Sequence, residues 1–534
     1  MIMNAKQTIQ NGKAILGIEF GSTRIKAVLI DEENKPIAQG SHTWENQLVN
    51  GLWTYSIDGI WYGLQDCYAD LRKNVLEQYD CEIETLAAIG ISAMMHGYMA
   101  FGGADEKILV PFRTWRNTNT GAAAKELSEL FNYNIPLRWS ISHLYQCILN
   151  GDEHVKNITY LTTLAGYIHW RLTGKKVLGV GDASGMIPVD PKTKTYDATM
   201  VKKFDELIAP KGYSWKLEDI LPESIVAGAD AGTLTEHGAE RLDISGHLKP
   251  GCPLCPPEGD AGTGMVATNA VKQRTGNVSA GTSSFSMIVL EKELTKPYEQ
   301  LDMVTTPDGS LVAMVHCNNC TSDINAWVKV FNEYAELLGV QQNTMELYTR
   351  LFNIAAKGQP DCGGLVSYNY ISGEPVTGLM DGRPLVVRSA NDKFTLANFM
   401  RAHLYGAIGV LKIGNDILLK QENIKVDRIT GHGGYFTTPV IGQKMLAAAL
   451  NSPISCMSTA GEGGAWGIAL LAGFAVNNPQ GLSLSDYLDN VVFTDVECTT
   501  VEPDPDDVEG FNKYIENYKA SLPIEVAAVD NKQA

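Results

Sequence analysis

Two short turns combine glycine with hydroxyl side chains, a composition suited to binding an anion. The first lies within "ILGIEFGSTRIKAVLID" at 15–31, where Gly21, Ser22 and Thr23 separate two runs of strand-forming residues. Glycine lets a ligand approach the backbone closely, and the amides and two hydroxyls can point at one anion. A P-loop is excluded because a strand beginning near Ile25, and not a helix, follows the turn. An ordinary hairpin turn is the alternative.

The second turn repeats this design in the other half of the chain. In "TGNVSAGTSSFSMIVLE", residues 275–291, Gly281, Thr282 and Ser283 again separate two strand-like runs. The two turns lie 260 positions apart in a chain of 534 residues. This spacing indicates duplicated lobes. Two such turns suggest two loops that face one polyphosphate.

Two carboxylates stand where they could act on a phosphate and on its acceptor. Asp260 follows the Pro/Gly-rich stretch at 248–259, at a junction between a loop and a helix. Its side chain could simply cap that helix. Phosphoryl transfer, however, needs a carboxylate near the acceptor hydroxyl and a cation near the phosphates. Asp260 and Glu19 are candidates for these two roles, and we expect them on opposite lobes.

The elements that would position these residues alternate between strands and helices, which indicates an α/β fold. A helical pattern at 58–79 precedes a buried strand at 85–95, which ends at His96. Trp115 follows in a polar loop. An indole near polar side chains suits a sugar, which needs both stacking and hydrogen bonds. The alternatives are a satisfied core histidine and a tryptophan that only packs.

Composition indicates a large enzyme that acts on small molecules. The 534 residues favour two domains, and 44% hydrophobic with 19% charged residues is typical of a globular protein. The net charge of −18 argues against nucleic acid and anionic membranes as partners. The N-terminal stretch lacks the apolar core of a signal peptide, and no apolar run reaches 18 residues. We therefore expect a cytoplasmic protein.

The ten cysteines do not predict a disulfide framework. The pairs Cys252/Cys255 and Cys317/Cys320 each have C-x-x-C spacing, but 61 residues separate the two pairs. Zinc ribbons usually have about 15 to 20 residues between such pairs. We therefore predict reduced thiols in a reducing compartment.

Taken in order, several segments resemble the FGGY carbohydrate kinases over about residues 14 to 475. Two glycine-rich stretches, at 428–454 and 458–473, belong to this pattern. The other segments are G-I-E-F-G-S-T-R-I-K at 17–26, A-I-G-I-S-A-M-M-H-G at 88–97, "LTGKKVLGVGDASG" at 172–185, G-D-A at 259–261, "SAGTSS" at 279–284 and "ISGE" at 371–374.

The resemblance implies the actin and hexokinase type of fold, with two ribonuclease-H-like lobes and an active-site cleft between them. The implied lobes are 12–256 and 257–534, and the implied ligands are ATP, Mg²⁺ and a sugar. Asp260 would be the catalytic base, and Glu19 would lie beside the metal. The implied sugar residues are Met95, His96 and Trp115, with Asp260. The implied ATP-binding residues are Gly21, Ser22, Thr23, Lys26, Gly281, Thr282, Ser283, Gly433, Gly434, Gly463 and Gly464.

Some positions depart from the family pattern. Glu19 stands where aspartate is usual, Met94 replaces a glutamine, Asn117 and Asn119 replace the polar pair of W-x-D-x-R, and Pro375 replaces an arginine. The sugar pocket is therefore atypical. The resemblance is greatest to kinases of ketopentoses, meaning xylulose or L-ribulose. The alternatives are a kinase of a polyol, a deoxyhexulose or a quorum-sensing ketone, and a non-catalytic ATP-binding regulator. The sequence does not determine the oligomeric state, and a homodimer is possible.

Overall fold

The computed structural model describes residues 2–341, 343–459 and 461–531. The strands are β1 (Ile15–Phe20), β2 (Arg24–Ile30), β3 (Pro36–Thr43), β4 (Gln47–Val49), β5 (Leu52–Thr54), β6 (Ala88–Ala93), β7 (Met99–Gly102), β8 (Lys107–Ile108), β9 (Ile158–Thr162), β10 (Val177–Gly179), β11 (Val189–Asp190), β12 (Thr195–Tyr196), β13 (Glu223–Ile225), β14 (Glu258–Gly259), β15 (Thr275–Ala280), β16 (Ser284–Val289), β17 (Asp302–Thr305), β18 (Leu311–Cys317), β19 (Val366–Tyr368), β20 (Leu385–Val387), β21 (Arg428–His432), β22 (Ile454–Met457) and β23 (Cys498–Val501). The helices are α1 (Ile2–Gln10), α2 (Ile57–Tyr79), α3 (Gly121–Phe131), α4 (Ser140–Asn150), α5 (Leu164–Thr173), α6 (Val180–Ala183), α7 (Ala198–Ile208), α8 (Leu217–Ile220), α9 (Glu236–Leu242), α10 (Asp260–Ala267), α11 (Ser322–Leu337), α12 (Thr344–Ala355), α13 (Leu396–Asp416), α14 (Ile441–Leu450), α15 (Gly463–Val476), α16 (Leu484–Tyr487) and α17 (Pro505–Asp530).

The chain forms two compact units that are discontinuous in sequence. The first contains the residues up to Val271, together with Met303–Val312 and Glu462–Asp495. The second contains Lys272–Asp302, Ala313–Gly461 and the chain from Val496 onward. A lobe boundary after residue 256 stays a prediction. Across the described residues, no helix is both long and apolar enough to span a membrane.

The sheet of the first unit has the order β14-β6-β1-β2-β3. Strands β1, β2 and β3 form an antiparallel meander, whereas β6 runs parallel to β1 and β14 parallel to β6. Every residue of β6 is buried, as expected for a strand in the middle of a covered sheet. Because β14 leads directly into α10, Asp260 belongs to the same unit as Glu19. Our expectation that these carboxylates lie on opposite lobes is therefore wrong.

Glycines allow α15 to pack unusually close to this sheet. A Cβ atom at Gly17 of β1 would overlap the carbonyl oxygen of Ala465, and one at Gly90 of β6 would lie 2.5 Å from the carbonyl oxygen of Ile468. Within α15, a Cβ at Gly467 would overlap the backbone of α10. Gly17, Gly90 and Gly467 thus serve close packing. They also bring the start of α15 to the end of β1.

The second unit repeats the strand order of the first. Strands β15 and β16 form an antiparallel hairpin, and β21 and β22 continue the sheet parallel to β15. The order β18-β16-β15-β21-β22 therefore corresponds to β3-β2-β1-β6-β14, with β23 added antiparallel at the edge. The duplication predicted from the two turns is present in the fold.

Candidate active site

The first turn is a hairpin turn whose carbonyl groups are held by aromatic side chains. The amide of Gly21 donates to the carbonyl of Arg24 at 2.9 Å. The indole of Trp44 donates to the Gly21 carbonyl at 2.8 Å, and the hydroxyl of Tyr55 donates to the Ser22 carbonyl at 2.5 Å. The rings of Trp44 and Tyr55 stack with centroids 4.0 Å apart. Sequence patterns did not identify this aromatic support.

Trp115 also supports the first turn. Its indole nitrogen donates to the hydroxyl oxygen of Ser22 at 3.1 Å, while its half-buried ring packs against the core of the first unit. The structure therefore brings Trp115 to the phosphate-like turn. Its predicted contact with a sugar stays a prediction.

Glu19 lies next to this turn in a poorly hydrated position. Its carboxylate accepts the amide of Ala465 and lies against Gly464, where an added Cβ would overlap Oε1. Loss of hydration and the charge of Asp260 raise the pKa of Glu19 to about 7, although the charge of Lys26 opposes this rise. The structure thus places Gly464 beside the candidate metal ligand.

Lys26 faces Glu19 across the hairpin, because the two residues are paired in the register of β1 and β2. Its ammonium group donates to the carbonyl oxygen of Glu462 at 2.9 Å. Gly463, the first residue of α15, adopts a left-handed conformation with φ of +72°. Lys26, Gly463 and Gly464 therefore lie together in the first unit, close to the first turn.

Asp260 is the first residue of α10, and Gly259 holds the N-cap position. Asp260 is therefore not the N-cap residue, although its carboxylate accepts the backbone amide of Ala261 at the start of the helix. The residue is half-buried, and Oδ1 accepts the amide of Met95 at 3.1 Å. Burial raises the pKa of Asp260 to about 6, whereas backbone amides and the charge of Arg138 lower it. At neutral pH this carboxylate is mostly ionised and can accept a proton.

His96 follows the end of β6 in a strained conformation. Its φ of +67° lies in the left-handed region, which is uncommon for histidine and is typical of functional sites when the surroundings enforce it. Its Nδ1 is 3.0 Å from the carbonyl oxygen of Gly185, and its ring stacks on Trp139 with centroids 6.3 Å apart. The structure thus brings His96 and Met95 to the same strand end as Asp260.

The second turn, in the other unit, is held by the start of α11. The amide of Gly281 donates to the carbonyl of Ser283 at 2.9 Å. The Gly281 carbonyl accepts the amide of Thr321 at 2.9 Å and its hydroxyl at 2.7 Å, and the Thr282 carbonyl accepts the amide of Cys320 at 2.9 Å. The side chain of Thr282 is exposed. It is therefore free to bind a ligand.

Gly433 and Gly434 are exposed and lie near this second turn. Gly433 has a φ of +98°, and a Cβ there would lie 2.5 Å from the carbonyl oxygen of Ala280. Only glycine suits this position. The second unit therefore brings together the turn at 281–283 and the glycines at 433–434.

Two buried carboxylates near Asp260 were missed by the sequence analysis. Glu258 accepts the amides of Gly181 and Asp182, at 3.2 and 2.9 Å. Burial and the charge of Asp182 raise the pKa of Glu258 to about 8. Burial likewise raises the pKa of Asp182 to about 7. The only sequence signal for this contact was the G-x-G spacing at 179–181, because two glycines without side chains leave space for a neighbouring group.

The ten cysteines are free thiols, and both C-x-x-C pairs are buried. In the described part of the chain, no cluster of three or more His, Cys, Asp or Glu side chains could hold a metal ion. Mg²⁺ in phosphoryl-transfer sites needs only one or two carboxylates, since substrate phosphates supply other ligands. The partly accessible Glu19 therefore fits such an ion.

Comparison with protein families decides the identity of this fold. The model of the N-terminal domain of the FGGY family of carbohydrate kinases matches residues 14–246, and that of the C-terminal domain matches residues 276–476. The chain belongs to this family. FGGY members are ATP-dependent carbohydrate kinases, so the chain is an enzyme that uses ATP and a sugar. The alternative of a non-catalytic regulator is set aside.

Several similar proteins cover between two thirds and nearly all of the FGGY kinase chain. A xylulose kinase of Lactococcus lactis is 21% identical over 527 residues, which is 95% of each chain. A gluconokinase of Bacillus licheniformis is 22% identical over 67% of this chain and 68% of its own. The solved xylulose kinase of Lactobacillus acidophilus has a TM-score of 0.75 at 18% identity, with 97% of this chain and 99% of its own covered. The similarity to this solved structure confirms the predicted two-lobe fold.

Proposed function

We propose that this FGGY kinase transfers the γ-phosphate of ATP to a hydroxyl of a ketopentose, with xylulose as the first candidate and L-ribulose as the second. Xylulose kinases from Lactococcus lactis and Staphylococcus epidermidis match 95% of the chain, which supports this choice. The gluconokinase match covers only two thirds of the chain. The proposal places the enzyme in the cytoplasm.

Asp260 is the catalytic base of the proposed reaction. It accepts the proton of the attacking sugar hydroxyl, and the hydroxyl oxygen then attacks the γ-phosphorus while ADP leaves. The observation that carries this role is the geometry of its carboxylate. One oxygen is fixed by the amide of Met95, the residue is half-buried, and the carboxylate is mostly ionised at neutral pH.

Met95, His96 and Trp115 contact the sugar in this proposal. Met95 and His96 follow the same strand whose end lies beside Asp260. The imidazole is held in one orientation by Gly185 and Trp139, which suits recognition of a hydroxyl at a fixed position. Trp115 would add an apolar face close to the first turn.

The two turns bind the phosphates of ATP. In the first unit, Gly21, Ser22 and Thr23 supply amides and hydroxyls, and Lys26 adds a positive charge. In the second unit, Gly281, Thr282 and Ser283 supply the equivalent groups. Gly433 and Gly434 lie near the second turn and suit the nucleoside, whereas Gly463 and Gly464 bring the start of α15 close to Glu19.

Glu19 would hold Mg²⁺, either directly or through water. When bound, the ion neutralises charge on the phosphates during transfer. Glu19 also keeps the end of β1 attached to α15 through the amide of Ala465.

A substrate screen tests the proposal. ADP release is measured with MgATP and xylulose, ribulose, L-fuculose, gluconate or glycerol, and mass spectrometry identifies the phosphorylated product. We expect the highest kcat/KM with a ketopentose. A higher kcat/KM with gluconate or glycerol would overturn the choice of substrate, and no sugar-dependent ADP release with any of the five would count against the proposal itself.

A further inference from the structure

We infer that Glu258 is a positioning residue, which fixes His96 relative to Asp260 by binding the backbone at 181–182. The inference rests on the proposed function, because it explains how the sugar-binding histidine and the base keep one geometry. Glu258 does not touch the reacting atoms in this account. It acts through the turn formed by residues 180–185, which begins with α6.

Glu258 belongs to the backbone that carries the base. It lies in β14, two residues before Asp260, and pairs with Ser92 of β6. Its side chain is 1% exposed and points to α6, where its two carboxylate oxygens accept the consecutive amides of Gly181 and Asp182. A helix of four residues cannot be stable by its own hydrogen bonds. The carboxylate supplies the missing acceptors.

Glycines make the space for this carboxylate. A Cβ atom at Gly179 would overlap Oε1 of Glu258, and one at Gly181 would lie 2.5 Å from Oε2. The three atoms nearest to the Cβ position at Gly181 all belong to the carboxyl group of Glu258. The G-V-G segment and Glu258 are therefore fitted to each other, although 77 positions separate Gly181 from Glu258.

The last residue of the turn held by Glu258 is Gly185, which contacts His96. The carbonyl oxygen of Gly185 is 3.0 Å from Nδ1 of His96, and a Cβ at Gly185 would lie 2.6 Å from the same nitrogen. The methyl carbon of Met95 would be 2.9 Å from that Cβ. A displacement of the turn would therefore move the imidazole and the Met95 side chain together.

Asp182 connects the same turn to the residue before the base. Its Oδ2 accepts the hydroxyl of Thr163 at 2.6 Å. Its Oδ1 has no hydrogen-bond partner among the described residues and lies 3.2 Å from the position of a Cβ at Gly259. The turn thus packs directly against the backbone that leads into Asp260. Removing the Glu258 contacts would loosen this packing as well as the support of His96.

The test compares Glu258→Gln with a matched control, Asp243→Asn. Glutamine offers one acceptor oxygen and turns its NH₂ group towards a backbone N–H, so at least one of the two bonds is lost. Asp243 lies in the same unit and is buried, and its Oδ2 accepts the amides of His247 and Leu248 while its Oδ1 accepts the amide and the hydroxyl of Ser245. The control therefore removes the same kind of contact away from the site.

Two readouts are measured on the full chain. The first is kcat/KM for xylulose at saturating MgATP. The second needs no substrate: it is the NMR signal of the ¹³C-labelled methyl group of Met95, assigned with Met95→Leu. We expect Glu258→Gln to lower kcat/KM by about tenfold or more and to move the Met95 signal. Asp243→Asn should lower the melting temperature but leave both readouts unchanged.

Gly181→Ala tests the same contact from the other side, because its methyl group displaces the carboxylate while the amide remains. It should reproduce both changes in the wild-type background and have little further effect in Glu258→Ala, where the space is free. If Glu258→Gln does not fold, the kcat/KM and the Met95 signal of Gly181→Ala alone test the inference. A Met95 signal and a kcat/KM like those of the control would overturn the inference. Inactive wild-type protein would count against the proposed substrate, and the Met95 signal would still decide the role of Glu258.

Discussion

The turns at 21–23 and 281–283 have the same composition but different surroundings. In the first unit, the turn lies next to Glu19 and Lys26, and aromatic donors hold its carbonyls. In the second unit, Thr321 and Cys320 hold the turn through neutral groups. The same backbone design therefore appears once beside charged side chains and once beside neutral ones.

This difference indicates that the two units have different roles, with proton transfer and metal binding in the first and phosphate binding at the second turn. Glu19 and Asp260 of the first unit both have a pKa raised by burial, and such perturbed acids are typical of sites that move protons or bind metal ions. The second turn offers amides and hydroxyls, which can bind phosphate but cannot accept a proton at neutral pH. We expect substitution of the proton-accepting Asp260 in the first unit to change kcat, and substitutions at the second turn to change KM for ATP.

Asp260→Asn should have the largest effect. The amide keeps the shape of the side chain but cannot accept the proton of the sugar hydroxyl, so kcat should fall by about 10² to 10⁴. Binding of ATP and sugar, measured by calorimetry, should change little. A kcat near the wild-type value would remove Asp260 from the mechanism.

Glu19→Gln should have the next largest effect. Loss of the carboxylate charge should raise the Mg²⁺ concentration needed for half-maximal activity by about tenfold, with a much smaller change in KM for the sugar. Glu19→Asp restores the charge and should retain activity. An unchanged Mg²⁺ requirement in the glutamine variant would show that Glu19 is only structural.

Thr282→Ala tests the second turn. Its exposed hydroxyl should bind a phosphate oxygen, and a lost hydrogen bond to a charged group should raise KM for ATP by about tenfold. We expect kcat to stay within about twofold, since no proton-accepting group is removed. Equal losses in kcat for Thr282→Ala and for Asp260→Asn would break the proposed division.

Trp115→Phe should have the smallest effect. The variant keeps an aromatic ring for the sugar but loses the indole N–H that supports Ser22. We expect KM for ATP to rise by about two- to threefold, with KM for the sugar unchanged, because one neutral hydrogen bond is lost. The opposite pattern would mean that the indole serves the sugar and not the turn.

Local patterns predicted the parts of this site that are continuous in sequence. Both hairpin turns, the strand before His96 and the junction at Asp260 could be identified because glycine, hydroxyl and strand-forming residues follow one another there. The contact between Glu258 and the backbone at 181–182 could not, because a carboxylate that binds amides 76 and 77 positions away leaves no local pattern. The placement of Asp260 with Glu19 was missed for the same reason, since strand pairing decided it.

Acid conditions should not unfold the first unit through Glu258 and Asp182. Burial raises the pKa of Glu258 to about 8 and of Asp182 to about 7, above the ordinary values of these groups. The folded state therefore holds more protons than the unfolded state between about pH 5 and pH 8, and these two groups lower stability as the pH rises. Between pH 8 and pH 5 their contribution to stability increases.

The pH dependence of kcat/KM for the sugar tests the central claim most directly, with circular dichroism as a check that the protein stays folded. If Asp260 is the base, kcat/KM should be nearly constant at neutral pH and fall about tenfold per pH unit below an apparent pKa near 6, because protonation of its carboxylate in the sugar-free protein removes the acceptor. A kcat/KM that stays constant from pH 8 to pH 5 in folded protein would contradict the account.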